Sequence, residues 1–173
     1  MLWLVTALAL GATPSPRLQQ LATGHFVAAL PPERMQAPVD AAVEATVASI
    51  PWAFRAYVRR RLAVPARWCR TWTLQLDDHQ VSCRCDHWAG PVVRPLAGPA
   101  APVTNADGET FQVTVITGPS ELTLGFSGEI GDQIRTFRFD ERGGMEVVVI
   151  VSNPRLEPLH WTLPYKRAEG EPR

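Results

Sequence analysis

Three cysteines, Cys69, Cys83 and Cys85, and one histidine, His87, stand where thiol, disulfide or metal chemistry becomes possible. Cys83, Cys85 and His87 follow one another at spacings of two, which on an extended strand puts all three on one face. A structural zinc ion normally takes four ligands, and no second ligand pair occurs elsewhere in the chain. Ordinary strand residues are therefore the better reading, and neither a metal nor a cofactor is expected. In an oxidising compartment Cys69 is expected to bridge to Cys83 or to Cys85, leaving one free thiol. Nucleophilic chemistry has less support. No Gly-x-Ser-x-Gly turn or phosphate-cradling loop occurs, and His25, His79, His87 and His160 fall on separate elements. The chain thus reads as a binding protein and not as an enzyme.

Two further groups of charged residues point to binding. Arg135, Phe137 and Phe139 share one face of a strand, while Ile134, Thr136 and Arg138 share the other. Burying two phenylalanines is worth about 3–6 kcal/mol, so Arg135 is expected inside and Arg138 outside, although a bulge would reverse them. Arg55, Arg59 and Arg60 lie on one side of a helix, with Arg61 toward its edge and Phe54, Val58 and Leu62 as the opposing apolar stripe. That face is a solvated one or, in the sharper reading, a contact with an anionic membrane surface.

The elements that must position these residues follow from the pattern of the chain. Its 173 residues, 46% apolar and 20% charged, suit one domain with a substantial core and disfavour disorder. Seventeen basic residues balance seventeen acidic ones, which gives no electrostatic case for nucleic acid. The balance hides an asymmetry, because eight basic and three acidic residues precede position 71 and nine basic and fourteen acidic follow it. Residues 2–12, LWLVTALALGA, have the length of a signal-peptide core and are too short to span a bilayer. Residues 1–20 are expected to be a cleaved signal and linker and the protein to be exported, periplasmic or secreted. Without cleavage it would be cytoplasmic.

A first strand is expected at residues 24–29. Two helices follow, one opening at Pro38 with Val39, Val43, Val47 and Ile50 on one face, the other ending at Pro65. From Cys69 the period changes to two. Residues 72–76 and 81–85 form a hairpin, and residues 87–102, rich in Pro and Gly, carry only short, weak strands. Five alternating segments then run at 109–117, 121–126, 133–139, 145–151 and 159–166. Asp107-Gly108, Gly118-Pro119, residues 128–131, Gly143-Gly144 and Asn153-Pro154 punctuate them. With no helices between them, these strands must be antiparallel. The tail at 168–173 is expected to be disordered.

This order, one strand, two helices and a long antiparallel meander, resembles that of fatty-acid-binding proteins and, more loosely, of lipocalin-like barrels of the calycin group. Leu96-Ala97-Gly98, with its Gly nine residues before Asp107, resembles the family's Leu-Gly to Asp-Gly interval. Phe137-Arg138 before the Gly143-Gly144 turn resembles its Arg-bearing strand, and Leu163-Pro164-Tyr165-Lys166 its closing Arg-x-Tyr strand. Gly24-His25-Phe26 is similar to the opening Gly-x-Trp of lipocalin-like barrels.

The resemblance implies a mainly β fold over residues 21–167: an antiparallel up-and-down barrel of about 8–10 strands, capped by a two-helix lid after the first strand. It also implies an interior Tyr165, with Trp161 and Leu163 on the same face. Where the family has a ligand-clamping Arg two residues before this Tyr, the chain has Leu163, so Tyr165 carries over and the Arg does not. An interior Arg135 would need Tyr165, a carboxylate or an anionic ligand head as its partner.

The expected function is noncatalytic carriage of a small apolar or amphiphilic ligand. Tyr165, Arg135, Trp161, Leu163, Phe137, Phe126, Phe111 and Trp72 are the candidate lining residues. The alternative is a filled barrel serving as an interaction module of the cell envelope, which would meet a partner or membrane through Arg55, Arg59 and Arg60.

Overall fold

A computed structural model describes residues 13–63, 66–104, 110–128 and 131–168. The expected leader at 2–12, Pro65, the Asp107-Gly108 turn, residues 129–130 and the tail from 169 lie outside the described residues.

The first helix of the described residues, α1 (Pro16–Ala22), stands where a linker was expected. Ser15 caps it, its hydroxyl accepting from Leu18 N, and Pro16 supplies the preset φ of a first helical turn. Seven residues are too few for a legible apolar period, yet Leu18 and Ala22 are fully buried. Arg167 fastens the far end of α1 by donating to the carbonyls of Thr23 and Leu21.

After β1 (Gly24–Ala28) comes α2 (Pro32–Ala48), which begins six residues before the expected Pro38 start. Pro32 takes the first-turn position, and Pro38 lies within the helix, where it forgoes one backbone hydrogen bond. Met35 thereby joins Val39, Val43 and Val47 in a buried stripe at spacings of four, while Ile50 falls beyond the helix end. The next helix, α3 (Trp52–Leu62), buries only Leu62. Phe54, expected in its apolar stripe, is 61% exposed, as α3 packs on α2 and not on the sheet.

Ten strands among the described residues form one antiparallel sheet. After β1 these are β2 (Thr71–Leu76), β3 (Gln80–Cys85), β4 (Val92–Pro95), β5 (Ala101–Thr104) and β6 (Thr110–Thr117). They continue as β7 (Glu121–Gly128), β8 (Gly131–Phe139), β9 (Gly144–Asn153) and β10 (Leu156–Arg167). Their order, β4-β3-β2-β1-β10-β9-β8-β7-β6-β5, bends the sheet into a nearly closed barrel in which only β4 and β5 do not pair. The two strands flanking this gap are four residues each and come from the Pro- and Gly-rich stretch. Helix α2 lies against β10, with Thr46 Oγ1 donating to the carbonyl of Glu157.

Register assigns the two faces. Trp161, Val149, Arg135, Leu124 and Val115 align across β10, β9, β8, β7 and β6. Leu163, Val147, Phe137 and Leu122 form the next row. Nearly all of these side chains are buried, so the rows line the interior. Arg138 is exposed on the outer face, where its Nε donates to Glu121 Oε1 at 2.9 Å.

Gly131 is required by close approach. Its φ is +145°, and a Cβ would lie 2.3 Å from the Ser152 carbonyl oxygen of β9. Gly131→Ala is expected to lower stability by about 1–3 kcal/mol through strain and overpacking. Gly90→Ala, with open space around it, should fall within about 0.5 kcal/mol of the parent. Urea unfolding midpoints compare the two.

Candidate ligand site inside the barrel

The interior is organised around Arg135, which is 6% exposed. Alternation carries it inward with Phe137 and Phe139, and three rings from different segments surround its guanidinium. Cζ lies 5.3 Å from the Trp72 ring on β2, 5.1 Å from Trp88 after β3 and 5.8 Å from Phe126 on β7. The rings meet each other edge to face, with centroids 5.3 Å apart for Trp72–Trp88, 5.1 Å for Trp72–Phe137 and 6.0 Å for Trp88–Phe126. Edge-to-face contact leaves π-faces free to meet a cation.

Arg135 Nε donates to Gln133 Oε1 at 3.1 Å, and Nη1 lies 3.9 Å from Cys69 Sγ. No carboxylate forms an ion pair with it among the described residues. Burial pulls its pKa down to about 10, which leaves it cationic at neutral pH.

Tyr165 is buried and donates its hydroxyl proton to the Cys69 carbonyl at 2.8 Å, so that carbonyl is its partner and Arg135 is not. Burial pushes its pKa up to about 12. The Trp72 indole beside the Tyr165 hydroxyl favours its ionised form, against the effect of burial, but Trp72 Nε1 falls short of a hydrogen bond. Trp161 Nε1 is buried and also without a partner among the described residues. Buried donors of this kind favour an acceptor brought by a guest or by water.

Tyr165→Phe leaves the Cys69 carbonyl without its donor and is expected to cost about 1 kcal/mol at neutral pH. A hydroxyl with a raised folded-state pKa contributes stability that is fully present below pH 10 and is lost as the pH rises toward 12. The stability gap between parent and variant should therefore shrink across that window, as measured by urea unfolding at a series of pH values.

The other expected lining residues divide by depth. Trp72, Phe137, Leu163 and Trp161 are buried, whereas Phe111 and Phe126 are half-buried near the β4/β5 gap side of the sheet. Trp88 and Gln133 were not anticipated. Trp88 sits in the Pro- and Gly-rich stretch with no alternation to mark it, where its backbone N–H closes a turn onto the Cys85 carbonyl.

Cys69 is bridged to Cys85, with Cα atoms 5.6 Å apart, and Cys83 is free and buried. Burial raises the Cys83 thiol pKa, which makes it a poor nucleophile. The same-face trio Cys83, Cys85 and His87, weighed above as a metal site and set aside, does not converge, because Cys83 lies deeper along β3. His87 keeps its Nδ1 3.1 Å from Cys85 Sγ, and burial, with Arg135 nearby, lowers its pKa.

On the helices, Arg59 pairs with both carboxylate oxygens of Glu44 on α2, and Arg55 donates to the carbonyls of Ile50 and Ala48. Two of the three expected surface arginines thus tie α3 to α2. Arg60 and Arg61 form no ion pair among the described residues.

Ten antiparallel strands among the described residues, a gap between the fourth and fifth, and a helix pair after the first strand define a β-barrel with the fold of fatty-acid-binding proteins. Among solved structures the chain is similar to a Schistosoma mansoni fatty acid binding protein in complex with arachidonic acid. The TM-score is 0.54 at 14% identity, covering 88% of this chain and 99% of that one. It is likewise similar to a structure described as the REP1-NXSQ fatty acid transporter, with a TM-score of 0.50, 14% identity, and 86% and 97% of the two chains covered. No family profile matches the chain, and no curated protein does.

Proposed function

We propose that the protein is a noncatalytic carrier of an amphiphile whose anionic head meets Arg135 and whose apolar tail occupies the barrel. The observation that carries this reading is a buried guanidinium held by rings and one amide, with no carboxylate paired to it among the described residues. A buried charge is costly until it is paired, so an anionic guest gains what the protein leaves uncompensated. Fatty-acid binding by two proteins of similar fold supports the same chemistry.

The test is displacement of a fluorescent apolar probe from the purified chain by a long-chain fatty acid and by its methyl ester. Stoichiometric displacement, with the acid about tenfold or more tighter than the ester, is the expected result. Exclusion of the probe, or equal affinity for acid and ester, defeats the reading.

A second element of the proposal is peripheral contact with anionic membrane through α3. Trp52, Phe54 and Tyr57 are 84%, 61% and 65% exposed on a helix that also carries Arg60 and Arg61. Aromatic rings beside arginines suit the boundary between headgroups and acyl chains. With Arg55 and Arg59 engaged on α2, Arg60 is the member of the original trio left to contribute. Vesicle binding that depends on anionic lipid and weakens in a Trp52→Ala, Phe54→Ala variant is expected. The envelope-module alternative has no comparable observation behind it.

We also propose export, for which the apolar segment at 2–12 and the disulfide both argue. No helix among the described residues is long and apolar enough to cross a membrane. The mass of the mature chain decides whether the leader is removed.

A further inference from the structure

We propose that Cys69, Cys85, Asp86 and His87 form a site for one thiophilic divalent cation, such as zinc, whenever the Cys69–Cys85 disulfide is reduced. One donor atom from each residue lies within 4.8 Å of all the others. Three corners already stand within a few tenths of an ångström of coordination spacing: Cys85 Sγ to His87 Nδ1 is 3.1 Å, Cys85 Sγ to Asp86 Oδ1 3.6 Å, and His87 Nδ1 to Asp86 Oδ1 3.9 Å. A tetrahedral zinc ion with bond lengths of about 2.0–2.3 Å has edges of about 3.3–3.8 Å between its ligands. Opening the disulfide frees Cys69 Sγ to take the fourth corner.

The fold supplies what the linear spacing lacks. Consecutive residues 85–87 turn away from the end of β3, and Trp72 opposite Cys85 brings the segment before β2 alongside. Arg70 N donates to Asp86 Oδ1 at 2.9 Å and Asp86 N to the Thr71 carbonyl at 3.3 Å, which hold the carboxylate beside Cys69. Such outer bonds orient a ligand before the metal arrives.

The donor set also selects the ion. Two thiolates and an imidazole favour zinc or cobalt over magnesium or calcium. Arg135, 3.9 Å from Cys69 Sγ, completes the balance, since two thiolates and a carboxylate against a dication and a guanidinium leave the cluster neutral. Asp86 and His87 are exposed and give the ion a route in.

The two states exclude each other. A dithiol reductant delivers two electrons and two protons to the Cys69–Cys85 bond and itself closes to a disulfide. The cation then displaces both thiol protons to solvent as the sulfur–metal bonds form. A reducing compartment thus selects the metal form and an oxidising one the disulfide.

The full chain, reduced with dithiothreitol and freed of it under nitrogen, is titrated with Co2+ alone. The expected result is saturable one-to-one binding with a thiolate-to-cobalt charge-transfer band and the strong visible absorption of tetrahedral cobalt. Neither should occur in the oxidised protein. His87→Ala, at an exposed position that leaves the disulfide intact before reduction, should weaken binding at least about tenfold. Cys69→Ser should remove about half of the charge-transfer intensity, and Cys83→Ser should change nothing. Absence of tetrahedral absorption in the reduced chain overturns the proposal, whether the site fails to assemble or the chain unfolds. A spectrum unaffected by His87→Ala and Cys69→Ser, or one abolished by Cys83→Ser, overturns it as well.

Discussion

Arg135→Met is expected to make the protein more stable and a poorer binder of anionic amphiphiles. The guanidinium sits in the middle of an interior row between Val149 and Leu124. Moving a cation there costs several kcal/mol of hydration, which the three rings and Gln133 offset only in part. The direction of the balance is visible in its pKa, which burial draws down to about 10. Methionine keeps much of the volume, adapts its shape to the aromatic surround and carries no charge. Replacing buried charge by well-packed apolar groups commonly leaves stability unchanged or raises it by about 1–4 kcal/mol. The urea midpoint should therefore rise without a change in slope.

Affinity should move the other way. A charge-assisted hydrogen bond between guanidinium and carboxylate is worth about 1.5–3 kcal/mol, so a fatty acid should bind about 10–100-fold more weakly to Arg135→Met. Its methyl ester, which offers no charge, should bind about as before. If stability and affinity both fall, Arg135 is a structural residue. If stability rises and acid binding is untouched, the anionic head meets some other group.

The inward setting of Arg135 was legible in the chain because strand alternation is a strong constraint once two phenylalanines choose the same face. The competing family-like position, Arg138, is outside and paired with Glu121, as a regular strand without a bulge requires. The meander was legible for a similar reason, since β-branched alternation broken by Gly and Pro leaves few other structures open.

Less was legible where pattern is short or tertiary contact decides. Helix α1 has only seven residues, and Ser15-Pro16 was the one signal for it. The exposure of Phe54 depends on how α3 lies against α2, where Arg59 pairs with Glu44 and Arg55 reaches the end of α2. The disulfide depended on register. Cys83 and Cys85 share a face, but Trp72 opposes Cys85 while Leu74 opposes Cys83, so Cys69 meets the nearer sulfur. Trp88 was missed entirely, because a ring in an irregular segment has no period to betray it.

Trp72→Ala is expected to be the most damaging single truncation in the barrel. The side chain is fully buried, its strand lies between β1 and β3, and its ring touches Trp88, Phe137 and the Arg135 guanidinium. Truncating a buried aromatic residue costs about 3–5 kcal/mol, partly in lost transfer energy and partly in the cavity left behind. In a domain whose whole stability is about 5–15 kcal/mol, that is a large share, and the melting temperature should fall by about 6–20 °C. Part of the loss belongs to the cation, which keeps its charge but loses one of its rings. Trp72→Ala should accordingly cost less in an Arg135→Met background, with a coupling of about 0.5–3 kcal/mol in the double-mutant cycle. Additive effects would mean that the ring supports the barrel wall alone and that Arg135 is held by Trp88 and Phe126. A cavity beside the guanidinium should also let an apolar guest restore stability, so a melting temperature that rises more steeply with hydrocarbon concentration in Trp72→Ala than in the parent locates the cavity there.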